Sequence, residues 1–186
     1  YKWGISAEIR KTIPKLPDKK LERIPNPFKE GEDVIAVPVP RLDTAIISVQ
    51  KASINGTCSI EGDEFHDIDI AIAAKHCIVT CEELVSNEEI RKNPAANSIP
   101  CFVVDAVVHA PKGAHPSQCY NYYDYDKDYF IAYDKASKTD EDFKAFVDEW
   151  VYGVKTHEEY LDKLGASRLI NLINTPGLGY SENLNK

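Results

Sequence analysis

Two short stretches hold the residue types best suited to chemistry. The run HCIVTCEE ends in adjacent carboxylates, Glu82 and Glu83, and GAHPSQCYNYYDYD, Gly113 to Asp126, joins a His-Pro corner to four tyrosines and two aspartates. Both follow apolar, strand-like runs, and in an open α/β sheet ligands meet the loops at the carboxyl ends of the strands. A carboxylate there acts as nucleophile or general base when burial raises its pKa. The same pair also reads as solvated glutamates opening the next helix. Gly113 permits a turn that a side chain would forbid, and Pro116 fixes the chain direction after His115, whose ring changes charge near neutral pH. The simpler reading is a strand-to-loop corner whose histidine bonds its own loop.

Tyr120, Tyr122, Tyr123 and Tyr125 supply stiff amphipathic area of the kind enriched at interfaces. Asp124, Asp126 and Asp128 alternate as in a calcium loop, but position six would be Tyr129 in place of Gly and position twelve Lys135 in place of Glu, so that reading is rejected. TPGLGY, Thr175 to Tyr180, lacks the spacing and setting of a dinucleotide fingerprint. No GxSxG elbow is present.

Charge narrows the partners. The formal net charge is -8 and the 22 basic residues are scattered, which argues against a nucleic-acid role, since that depends on cations replacing counterions along phosphates. No apolar run reaches the roughly 20 residues of a membrane helix. Five cysteines without CxxC spacing, Cys58, Cys77, Cys81, Cys101 and Cys119, suit neither a disulfide framework nor a zinc site and fit a reducing cytoplasm. Cys77 and Cys101 read as core residues. The chain begins at Tyr1 and has no methionine, which suggests missing upstream sequence.

These residues need elements to position them. Residues 1–30 are rich in Pro and Lys and read as an extended lead-in with one short helical pattern at Ile5–Ile13. Strands are predicted at DVIAVPVP and at Thr44–Gln50, the latter buried on both faces, followed by an Asn55-Gly56 hairpin. Asp67 caps a helix through Ala74 whose apolar positions surround it, so it should be sandwiched. His76–Thr80 is a short strand, Ser86 and Glu89 form a capping box, and Pro94 ends that helix. A long strand is predicted over Cys101–Ala110, then helices over Thr139–Tyr152 and Thr156–Leu164, the latter closed by Gly165, and a further one over Ser167–Ile173. The class is α/β: one domain with a largely parallel sheet and helices on both faces.

Longer blocks carry a resemblance. DVIAVPVPRLDTAIISVQKAS, the run from Asp69 to Glu83, VVDAVVHAPKGAHPSQCYNYYDYD and EYLDKLGASRLINL resemble the A (α) subunits of the glutaconate-type family I CoA-transferases, and the similarity runs from Trp3 to Tyr180. It implies the CoA-transferase fold, with this chain as the carboxyl-terminal portion of one such domain. It also implies a ping-pong reaction in which a glutamate attacks an acyl-CoA, releasing the thiolate, which then displaces the acyl group to leave a glutamyl-CoA thioester. In such enzymes that glutamate lies on the B (β) subunit, so no catalytic nucleophile is assigned here and Glu82 and Glu83 lose that role. Coenzyme A thioesters and a dicarboxylate such as glutaconate or 2-hydroxyglutarate are the implied substrates, with no permanently bound cofactor or metal.

Under that resemblance the Gly113–Asp126 loop would line the subunit contact or the active-site cleft, with His115 first to test. Ser48 stands where relatives often have His, and Cys58-Ser59 with Glu61 where Arg and Trp are common, which bears on acyl specificity. Two rival readings are one half of a ring-opening acyl-CoA hydrolase and a non-catalytic structural subunit.

Overall fold

The computed structural model describes residues 22–37 and 41–182. The Ile5–Ile13 pattern lies outside them. The chain divides into two units, Tyr1–Asp43 and Thr44–Lys186.

In the first unit, β1 (Glu22–Pro25) pairs antiparallel with β2 (Asp33–Ala36). The lead-in expected to run unpaired to residue 30 thus contains a strand. Pro25 sits at its end, where the missing N–H costs the ladder little.

The second unit holds a five-stranded sheet, whose first strand begins two residues before the unit's boundary: β3 (Leu42–Ser53), β4 (Cys58–Ser59), β5 (Ala74–Val85), β6 (Asn97–Ile99) and β7 (Ala106–His109), in the order β6-β4-β3-β5-β7. The class is α/β, but the sheet is mixed. β5 and β7 are parallel, whereas β4 pairs antiparallel with both β3 and β6. The Asn55-Gly56 hairpin explains the antiparallel side, since a tight turn can return the chain only in the opposite direction. Gly56 has φ +94°, and a Cβ there would crowd Val104 at 3.2 Å.

Alternation decides what is buried. Along β3, Ala45, Ile47 and Val49 enter the core with Ala52, Cys58, Cys77, Val79, Cys81 and Ile99, while Ile46 is 71% exposed. Burial of both faces of β3, expected from its β-branched run, is therefore not found: one layer covers one face of a period-two strand. Helix α1 (Asp67–Ala73) likewise buries only Ala71, not a full circumference, and its N-cap is His66 with no side-chain cap bond. β5 extends well past Thr80 and carries Glu82 and Glu83 within the strand, not beyond its end. The long strand over Cys101–Ala110 is a 3-10 turn at Cys101–Val103 followed by β7. Cys101 is exposed, whereas Cys77 is buried.

Helix α2 (Asn87–Arg91) opens on Ser86, whose hydroxyl accepts the Glu89 N–H at 3.1 Å, and Pro94 starts a 3-10 turn. The C-terminal helices are α3 (Lys127–Ala136), α4 (Asp140–Val147), α5 (His157–Leu164) and α6 (Ala166–Asn171). Asp126, Thr139 and Thr156 cap the first three, a π turn at Asp148–Tyr152 extends α4, and Gly165 closes α5 with φ +84°. Helix α3, unforeseen, starts inside the segment that resembled a calcium loop. Asp126 accepts the Tyr129 N–H at 3.0 Å, so the aspartate is a helix cap. No described helix is long and apolar enough to cross a membrane.

Candidate functional site

The carboxyl end of β5 and the loop after β7 meet. Glu82, on the strand face opposite the core residues Val79 and Cys81, is only 6% exposed because the loop after β7 covers it, while Glu83 is exposed near the strand's end. Both Glu82 oxygens are engaged: Oε1 accepts the Tyr123 hydroxyl at 2.7 Å and Oε2 accepts the Lys112 N–H at 2.8 Å. Tyr123 is completely buried, and its oxygen in turn accepts the Ala114 N–H at 3.0 Å. Burial, and then the bond to Glu82, pushes the Tyr123 phenol far above its ordinary pKa, so it remains a donor. One carboxylate therefore fixes both ends of the loop's first turn. Among the described residues Glu83 accepts the Tyr122 hydroxyl, at 2.7 Å on the surface.

Gly113 lies inside this turn, and a Cβ there would meet the Ala110 carbonyl oxygen at 2.7 Å. The left-handed residue is its neighbour Lys112, with φ +66°. The Lys112 ammonium lies 4.0 Å from the Tyr123 ring centroid, and burial lowers its pKa against the opposing charge of Glu82. Tyr123, read as interface material, is core; Tyr120 is half-exposed.

His115 faces the helices. Its side chain is 1% exposed, with Nε2 3.0 Å from Asp126 Oδ2 and Nδ1 2.6 Å from the Tyr160 hydroxyl. Tyr129 packs edge-on at 5.2 Å between centroids. Asp126 also receives a two-pronged contact from Arg168, through Nε and through Nη2 at 2.8 Å. Burial would raise the Asp126 pKa, but hydrogen bonds from Arg168, His115 and the Tyr129 N–H lower it to about 2. Burial lowers the His115 pKa, more than Asp126 raises it, with Arg168 and Lys112 adding to the decrease. A neutral ring donates Nε2–H to Asp126 and leaves Nδ1 to accept from Tyr160.

A pH dependence follows. With its folded pKa below the unfolded value, His115 binds more protons in the unfolded chain, so its contribution is present above about pH 6.5 and lost as the pH falls below that. The melting temperature should drop between pH 7 and 5, and His115→Gln should flatten that slope. An unchanged slope would show that the ring titrates alike in both states.

Beside this loop lies a cleft of about 500 Å³, floored by Ser48 and Gln50 and walled by segments 60–67 and 114–120. The structure brings Glu82, Gly113 and His115 to one loop, with Ala114 reaching the cleft wall; the side chains of Glu82 and His115 do not line it. Asp126, Arg168, Tyr160 and Gln50 were not foreseen. Only Asp126 had a local signal, lying three residues before Tyr129 as a cap does. Among the described residues no group of three or more His, Cys, Asp or Glu side chains is arranged to hold a metal, and the cysteines are free.

Comparisons agree with this architecture. The family model described as Coenzyme A transferase matches residues 2–110. The chain is 61% identical, over 99% of its length, to the A-type subunit of glutaconate CoA-transferase from Acidaminococcus fermentans, of which it covers 58%. It is 34% identical over 156 residues to the A-type subunit of 3-oxoadipate CoA-transferase from Pseudomonas knackmussii, covering 84% of this chain and 54% of that one. The crystal structure of the Acidaminococcus fermentans glutaconate coenzyme A-transferase superimposes with a TM-score of 0.85 at 62% identity, over 97% of this chain and 57% of the other. The chain thus spans somewhat over half the length of these relatives. With the family model matching well over half of its residues, on a fold shared with a solved transferase, the chain belongs to the coenzyme A transferase family.

Proposed function

We propose that this chain is part of an A-type subunit that moves CoA from an acyl-CoA donor to a dicarboxylate such as glutaconate or 2-hydroxyglutarate, in the cytoplasm and together with a B-type subunit. The nucleophilic glutamate is contributed by that partner. The observation that carries this division is the state of Glu82: the buried carboxylate of the candidate site already accepts two hydrogen bonds and is spoken for as an anchor. A nucleophile must reach the thioester carbonyl, whereas Glu82 is 6% exposed, is held through both oxygens by the Tyr123 hydroxyl and the Lys112 N–H, and does not line the cleft. Glu82, Gly113 and His115 then hold the Gly113–Asp126 loop against the cleft, and Glu83 is a surface residue bonded to Tyr122 of that loop.

The test exposes the full-length chain, co-purified with its partner, to glutaryl-CoA without acceptor and weighs the intact chains. A CoA adduct on the partner is expected. An adduct on this chain would make one of its own carboxylates the nucleophile, and steady release of free CoA with no adduct would mean hydrolysis.

A further inference from the structure

Tyr120 stands at the cleft, half its surface open, with its ring wedged between two glycines from separate segments. Gly62 has φ +93°, and a Cβ on it would meet Tyr120 Cδ1 at 3.1 Å. Gly179 has φ +72°, and a Cβ there would meet Cε2 at 2.7 Å. Both positions combine a left-handed backbone with contact to the ring, so glycine serves twice at each. The TPGLGY loop, which has no fingerprint spacing, thereby acquires a use. It is tied down by the Asn174 amide donating to the Gly179 carbonyl at 2.7 Å and the Thr175 N–H donating to the Tyr180 carbonyl at 2.8 Å.

Behind the ring, Gln50 joins the two walls. Its Nε2 donates to the Glu61 carbonyl at 3.1 Å and lies 3.5 Å from that of Tyr120, and its Oε1 accepts the Glu61 N–H at 2.9 Å. Asn121 adds a bond to the Glu61 carboxylate at 2.9 Å. A half-exposed tyrosine on an ordinary surface is free to change rotamer; this ring is a fixed wall.

The lining selects by charge as well. Glu61, Asp63 and Asp67 face the cleft, and no lysine or arginine is among the described residues that line it. Lys51, 3.5 Å from Glu61, offsets one carboxylate from outside. A phosphate or free carboxylate would be repelled there, whereas an uncharged group with an apolar body finds Ile60, Phe65 and the Tyr120 ring, and its polar edge finds Ser48 and Gln118.

We propose that this cleft takes the uncharged part of an acyl thioester and that the clasped Tyr120 ring sets the size of group admitted. The inference rests on the CoA-transfer reading above. It is tested on the full-length chain with its partner by measuring kcat/KM for butyryl-CoA and for the bulkier phenylacetyl-CoA with one common acceptor. Tyr120→Ala should raise the bulky-to-small ratio at least about 10-fold, the scale on which hydrophobic pockets discriminate by size. Tyr120→Phe, which keeps the ring, should retain the wild-type ratio. Gly179→Ala, which pushes the ring without removing it, should shift the ratio and serves if Tyr120→Ala does not assemble. Wild-type transfer with a ratio that none of these variants alters would overturn the inference and leave the transferase reading standing. A wild-type complex that transfers CoA to no acceptor would remove both.

Discussion

Asp126→Ala is expected to lower stability by about 3 kcal/mol, from the loss of charged hydrogen bonds to Arg168, whose side chain is one-third exposed, and of a helix cap. Three connections are lost together. Arg168 loses both hydrogen bonds, His115 loses the acceptor for Nε2, and the first turn of α3 loses its cap. At roughly 2–4 °C per kcal/mol for a chain of this size, the melting temperature should fall by about 10 °C, which circular dichroism would read directly. Asp126→Asn keeps a capping oxygen and a neutral acceptor and should lose about half as much. A drop of only about 1–2 °C in Asp126→Ala would show that Arg168 and His115 find other partners at no cost.

The same carboxylate has a pH signature of its own. Its folded pKa, about 2, lies below the ordinary value of 3.8, so its contribution is present above about pH 4 and lost as the pH falls from there toward 2. His115 acts from about pH 6.5 downward, so the two losses occupy separate windows and can be read from one series of melts.

The second large effect should come from Glu82→Ala, through position instead of chemistry. Without the carboxylate, the Tyr123 hydroxyl and the Lys112 N–H are left unsatisfied in a buried setting, each costing about 1–3 kcal/mol. The turn relaxes, and Ala114, Gln118, Cys119 and Tyr120 on the cleft wall move with it. A misplacement of about 1 Å near reacting groups can cost on the order of 100-fold, so kcat/KM for CoA transfer by the assembled enzyme should fall by roughly that factor. Glu82→Gln keeps one acceptor but turns an amide toward the Lys112 N–H, and should lie between the two. Glu83→Ala, which removes one surface contact with Tyr122, should stay within about 2-fold, in keeping with the small effect of exposed contacts. Equal losses from Glu82→Ala and Glu83→Ala would count against an anchoring role for Glu82.

Local rules fixed much of the secondary structure. Ser86, Thr139 and Thr156 cap helices, Gly165 closes one and Asn55-Gly56 turns a hairpin because each depends on hydrogen bonds and dihedrals within a few residues. Similarity across long blocks carried the fold class for the same chain.

What lay beyond the sequence depends on partners distant along the chain. An apolar run does not say how many of its faces will find a covering layer, so Ile46 and Ile72 are exposed where burial was expected. The strand predicted at Cys101 gave way to a 3-10 turn, which packs against the hairpin at Gly56. The candidate site shows the division most clearly. The sequence alone supplied Glu82, Glu83, Gly113 and His115 as residue types able to do chemistry. Only the tertiary structure decided that the loop after β7 covers Glu82, which anchors it, and leaves Glu83 in solvent. It also decided that Arg168, forty-two residues beyond Asp126, reaches the carboxylate that holds His115, and that Gly62 and Gly179 close on Tyr120. Strand alternation and capping are local physics; which buried donor meets which acceptor is settled when separate segments exclude water together.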